Sequence, residues 1–307
     1  MINAGYTYVD RITPDSAGMP ILQYYVQRYP HSSRNEWREH FRLGRMFCNG
    51  SAVGEDHALQ AGDRLEYRRP PWGEPDVPTV IPVLEESADW MVFAKPSGIP
   101  VLPGGGYLMN TMVHILRERY GTSLAPVHRL GRGTSGAILF SRSAEAAARL
   151  GAAMRERRVE KTYLAIVAGI PPEDAFTIDA PIGRVAHPLL GSVHAASEGG
   201  KASVSHFRVL RRDAGESTSV VEVRIPTGRP HQIRIHAAAA GYPLAGDPLY
   251  GVGGLPLTAD KGRAAVPGDC GYTLHSWKIR FTDLDKKTIR EVVAEPPNTL
   301  ALHAGIP

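Results

Sequence analysis

Apolar positions along this chain recur mostly with the period of a strand. KASVSHFRVL (201–210) and SVVEVRI (219–225) alternate apolar and polar residues in period two, the pattern of a pleated strand with one buried face. WMVFAKP (90–96), AILFS (137–141) and TYLAIVAG (162–169) are short apolar runs, the first stopped by proline. AEAAARLGAAMRERR (144–158) differs: alanine-rich, with arginines in its last turn, it predicts the one strong helix. Neighbouring period-two segments predict a largely antiparallel sheet with a few helices, an α+β fold. Nearer the start, Ser33 or Asn35 is a candidate cap for a helix through Trp37, Phe41 and Leu43. MFCNG (46–50) and AGDRLEYR (61–68) each predict a strand beside a tight turn. PPWGEPDVPTVIP (70–82) carries five prolines and no periodicity, as a linker does. The expected organisation is a small α/β domain over 1–72, a linker over 73–82 and a large domain over 83–307.

Composition narrows the class. Of 307 residues 43% are apolar, 21% charged and 7% aromatic, which excludes coiled-coil, collagen-like and largely disordered chains. No stretch approaches the roughly 18 unbroken apolar residues of a membrane span, and residues 1–20 lack a secretory pattern. Cys48 and Cys270 stand far apart without CxxC spacing, so reduced cytoplasmic thiols are expected, not a disulfide or a zinc site. The charge balance is +4, from 35 Lys+Arg against 31 Asp+Glu. Its arginines cluster at Arg155/Arg157/Arg158 and Arg208/Arg211/Arg212, and Arg34, Arg38, Arg42 and Arg45 would share one helix face. Arginine suits bidentate phosphate contacts, so a polyanionic partner fits.

Several short motifs mislead. GRGTSG (131–136) is formally GxGxxG, but it runs into the strand AILF and no helix opens after it to hold a pyrophosphate. No dinucleotide is therefore expected. Ser135 lies in TSG, outside a nucleophile elbow. His231 and His236 are five apart, not the four that a helical zinc pair prefers.

Longer segments in fixed order carry more. KPSGIPV (95–101), HRLGRGTSG (128–136), VEKTYLAIVAG (159–169), GRPHQIRIH (228–236), GDPLYG (246–251) and LHSWKIRF (274–281) follow one another. With them the chain resembles the RNA pseudouridine synthases of the RluA type over roughly residues 80–300. Residues 21–68 are similar, more weakly, to an S4-type RNA-binding domain. The resemblance implies an α+β catalytic domain with a central mixed sheet and a basic cleft. It implies isomerisation of uridine in ribosomal or transfer RNA, without metal or organic cofactor. Apart from the resemblance, a cytoplasmic monomer is expected.

That resemblance assigns roles residue by residue. Tyr163 in KTY matches the family's active-site tyrosine, and Arg234 in HQIR the arginine that pairs with the catalytic aspartate. Arg129 in HRL matches the arginine of RNA engagement and base flipping, with His128 beside it. Arg34, Arg38, Arg42 and Arg45 would contact RNA from the S4-like domain. Set in an alternating strand between Ile233 and Ile235, Arg234 would face a polar cleft. The family's HRLD, however, reads HRLG here: Gly131 occupies the position of the aspartate, and Gly133 that of a second acidic residue. Three readings follow. Another carboxylate, Asp247 being a candidate, or a water replaces the group; the protein is a silent RNA binder with an unpartnered Arg234; or Gly131 is an engineered or erroneous change.

Overall fold

The computed structural model of the chain describes residues 2–29, 32–257, 265–284 and 288–304. Two compact units divide between Glu74 and Pro75. The first holds strands β1 (Tyr6–Arg11), β2 (Met46–Cys48), β3 (Ser51–Ala52) and β4 (Arg64–Arg69), and helices α1 (Ile21–Arg28) and α2 (Arg34–Arg42). Its sheet runs β1-β4-β2-β3, all antiparallel. Ser33 caps α2 through a capping box: its Oγ accepts from Glu36 N at 3.2 Å, and its own N donates to Glu36 Oε2 at 2.6 Å. Such a cap contributes about 1 kcal/mol. Trp37 turns inward against Tyr25 and Tyr67.

The second unit is α+β. Its strands are β5 (Val83–Glu86), β6 (Trp90–Lys95), β7 (Ala125–Pro126), β8 (Ser135–Ser141), β9 (Glu160–Ala168), β10 (Ala175–Ile178), β11 (Ile182–His187), β12 (Gly191–Ala196), β13 (Ser205–Asp213), β14 (Thr218–Arg224), β15 (Leu274–Thr282) and β16 (Ile289–Val293). The helices are α3 (Met112–Tyr120), α4 (Ala144–Arg155), α5 (Gln232–Ala239) and α6 (Asn298–Ala304). A mixed, largely antiparallel sheet runs β10-β13-β14-β9-β15-β8-β6-β5, with β16 on β15 and β7 on β8; β11 and β12 form a separate hairpin. The parallel contact is confined to His275↔Ser135 and Ser276↔Gly136. Gly136 is required at this seam: its φ is +104°, and a Cβ there would collide with the Ser276 backbone.

Both faces of the sheet are covered, which explains the apolar runs in the sequence. Met91 and Phe93 of β6 pack with α3 and α5, while Trp90 and Val92 pack with Leu150 and Ala153 of α4. A strand buried on both sides loses its alternation. Residues ahead of β5 lie along this unit: Pro75 O accepts from Asn110 Nδ2 at 2.7 Å, Thr79 O from Arg119 at 3.1 Å, and Ile81 is in the core. Among the described residues no helix is long and apolar enough to cross a membrane.

The expected strand through HQIRIH is helix α5 instead. Every residue from Gln232 to Ala238 is buried, so apolar and polar positions alike point into protein and the spacing loses its meaning. Arg45 also leaves its expected place: α2 ends at Arg42, and Arg45 lies on the turn into β2.

Candidate active site

The motif-bearing segments of the second unit meet at a cleft of about 580 Å³, within the usual range for a ligand pocket. One wall is the loop before β8, with His128, Arg129, Leu130, Gly131 and Thr134. Lys161 and Tyr163 of β9, the end of α4, the turn into α5, Tyr272 and Leu274 complete it.

KPSG braces that loop from behind. Lys95, 2% exposed, donates to Pro96 O and Arg132 O at 3.0 Å and to Thr134 O at 2.8 Å. Ser97 Oγ donates to Gly133 O, and Gly98 N to Arg132 O, each at 2.8 Å. Burial pushes the Lys95 pKa down to about 7, and three carbonyls accept the hydrogens of the buried amine.

The sequence-assigned residues separate into framework and lining. His128 is framework: its Nε2 accepts from Leu139 N at 3.1 Å, and burial pushes its pKa down to about 3, leaving a neutral ring. Arg129 is exposed on the cleft without a carboxylate partner among the described residues. Tyr163, 5% exposed, lines the cleft from β9, its phenol pushed well up by burial. Gly131 is exposed at the cleft.

Arg234 has a partner, contrary to the expectation of an unpaired cation. Its Nε donates to Asp247 Oδ2 at 2.6 Å and its Nη2 to Oδ1 at 2.7 Å, with both side chains within 2% of full burial. Asp247 also accepts from Leu249 N at 2.9 Å and Tyr250 N at 3.1 Å. It does not line the cleft. With its oxygens taken, this carboxylate anchors Arg234 and cannot substitute for a group at position 131.

In the first unit, Arg38 pairs with Glu55 at 2.9 Å and Arg42 with Glu39 at 2.6 Å, while Arg45 approaches His40. Arg34 is exposed. The basic face is therefore partly neutralised by its own neighbours. Cys48, His57 and Asp63 bring three donor atoms within 4.8 Å of one another. Asp63 is already held there by Gln60 N and Asn49 Nδ2, at 2.7 and 2.8 Å.

Several contributors escape sequence reasoning. Lys161, two places before Tyr163, and Arg229, beside the HQIR segment, face the same cleft as Arg129, Arg155 and Arg157. None of the five has a carboxylate partner among the described residues, and no Asp or Glu lines the cleft. The result is a strongly positive concavity. His231 caps α5 in the left-handed region, φ 55°. Its Nδ1–H donates to Tyr250 Oη at 2.8 Å, and Tyr250 donates onward to His194 O at 2.8 Å. Burial holds that ring neutral too, near 3. Tyr272 had no signal, being a lone aromatic in DCGYTL just ahead of the LHSWKIRF motif.

Comparison with known proteins gives these features a context. The pattern of the RNA pseudouridylate synthase family matches residues 89–239. An uncharacterised RNA pseudouridine synthase of Synechocystis is 42% identical over 281 residues, 91% of this chain and 95% of that one. Ribosomal large subunit pseudouridine synthase D of Pseudomonas aeruginosa is 32% identical over 287 residues, 87% of this chain and 84% of that one. Among solved structures, human RNA pseudouridylate synthase domain containing 1 matches with a TM-score of 0.56 and 28% identity, over 75% of this chain and 89% of that one.

Proposed function

The chain belongs to the RNA pseudouridine synthases, and on that premise we propose that it converts uridine to pseudouridine in ribosomal or transfer RNA. Similarity to a protein named for the large ribosomal subunit favours ribosomal RNA. The observation that carries the reading is the convergence of Arg129, Tyr163 and Arg234 on one cleft whose other cations lack carboxylate partners. Phosphates would supply the missing charge, positioning the strand without reading its sequence. The target nucleotide must leave its stack to enter, at a cost of a few kcal/mol. Arg129 engages the backbone of the extruded nucleotide, with His128 fixing the loop that carries it. Tyr163 packs against the base, and the Arg234–Asp247 pair holds the floor. Gly131, at the position of the family aspartate, brings no carboxylate to the cleft.

The first unit is read as an S4-like RNA-binding domain, joined through 73–82 to the catalytic domain. Arg34 is its exposed phosphate contact; Arg38, Arg42 and Arg45 join if RNA displaces their present neighbours. Two free thiols suit the cytoplasm.

The test is incubation with ribosomal and transfer RNA from cells lacking the protein, followed by mapping of pseudouridine through carbodiimide adducts and reverse-transcription stops. New stops at defined uridines are expected. Their absence from both RNAs would overturn the reading.

A further inference from the structure

Tyr272 stands where two side chains are missing. Neither Gly131 nor Gly133 has a positive φ, so backbone conformation does not demand glycine at either place. Space does. A Cβ on Gly131 would lie 2.9 Å from the Tyr272 hydroxyl, and one on Gly133 would lie 3.0 Å from its Cζ. The ring is 7% exposed and lines the cleft. Its hydroxyl lies 3.4 Å from Thr134 Oγ1, and the Arg234 guanidinium carbon lies 4.2 Å from its centroid.

Of the titratable groups that line the cleft, Lys161 and Tyr163 stand on β9, and Tyr272 is the one set against position 131. No carboxylate lines the cleft. Asp247 is enclosed by Arg234 and two backbone amides. His128 and His231 each have a ring nitrogen engaged with the framework and are held neutral by burial.

Resting on the pseudouridine reading, we propose that Tyr272 is the proton-transfer group of this site, in place of the carboxylate that position 131 lacks. As the C1′–N1 bond breaks, its electron pair goes to the base and the Tyr272 O–H proton passes to N1. The phenolate left behind faces the electron-poor C1′. The base turns, C5 supplies the pair that forms the C5–C1′ bond, and the C5 proton passes to the phenolate. The base has then gained a proton at N1 and lost one at C5, and Tyr272 is restored without any other reactant. Burial keeps the phenol protonated until the bond breaks, while Arg234 and Thr134 favour the phenolate.

The experiment compares wild type with Tyr272→Phe, which keeps the ring, on ribosomal and transfer RNA labelled with tritium at uridine C5. Release of tritium to water reports turnover. The expected result is unchanged RNA affinity, unfolding temperature and KM, with kcat lower by about 10²–10⁴-fold. The solvent deuterium effect on the wild-type kcat should be lost in the variant. Equal release by both proteins would overturn the role of Tyr272 and leave the pseudouridine reading standing. A loss of RNA affinity in step with kcat would make Tyr272 a packing residue and overturn the proposal. No release by either protein would overturn the pseudouridine reading and the proposal with it.

Discussion

Gly131→Ala sets two effects of opposite sign against each other. Since Gly131 has an ordinary φ, alanine there restricts the unfolded chain and on that ground stabilises by about 0.4–1 kcal/mol. The new Cβ, however, lies 2.9 Å from the Tyr272 hydroxyl. That oxygen cannot retreat freely, because the ring lies close against Gly133 and under the Arg234 guanidinium. Overpacking of this kind costs about 1–3 kcal/mol. The contact wins, and the net destabilisation is about 1–2 kcal/mol, roughly 2–8 °C in the unfolding of the larger unit. In a Tyr272→Phe background the oxygen is absent, so the same substitution becomes neutral or stabilising. A double-mutant cycle on the full chain, followed by thermal unfolding, should therefore give a coupling of about 1 kcal/mol or more. Gly131→Ala at least as stable as wild type, with Tyr272 present, would refute the reasoning.

Three further outcomes are expected. Arg129→Ala should weaken RNA binding severalfold at all sites and lower the slope of log affinity against log salt by about 1; an unchanged slope in a binding titration would count against a phosphate contact. Asp247→Asn leaves Arg234 buried without its counter-charge and should cost about 3–5 kcal/mol in a urea melt, whereas a loss below 1 kcal/mol would refute the anchoring role. His128 and His231 have folded pKa values near 3 against about 6.5 unfolded. Between those values the unfolded chain binds the protons and the folded chain does not, so stability falls as pH drops below about 6.5. Each ring contributes up to about 1.4 kcal/mol per pH unit. His128→Gln should flatten the acid side of a stability-against-pH curve, and an unaltered slope would refute the assignment.

The sequence revealed strands better than it revealed the site. The start of β13 keeps its alternation because one face meets the core: Ser205 and Phe207 are buried, His206 and Arg208 exposed. The Ser33 cap is a local signal that needs no tertiary context. Residues around Arg234 misled because a helix buried on all sides shows no stripe. Its partner Asp247 is 13 residues away across a turn, a pairing that no periodicity encodes. Tyr272 was silent for a similar reason. Its meaning comes from two glycines about 140 residues earlier, and only the fold brings them together. KPSG was visible as a motif, but the three-carbonyl cradle of Lys95 that explains it was not.

The place of β15 has a consequence for synthesis of the chain. Strands β5, β6 and β8 form one half of the sheet and β9, β13, β14 and β10 the other, with β15 inserted between them. During translation both halves emerge first, each with an unpaired edge, and they cannot join until residues 274–282 follow. Tyr272, immediately ahead of that strand, arrives in the same step. The cleft residues on β9, α4 and α5 therefore emerge before Tyr272 and Leu274, and the cleft is complete only when the late closing strand is in place. The open edges of β8 and β9 are the growing chain's period of greatest exposure to aggregation.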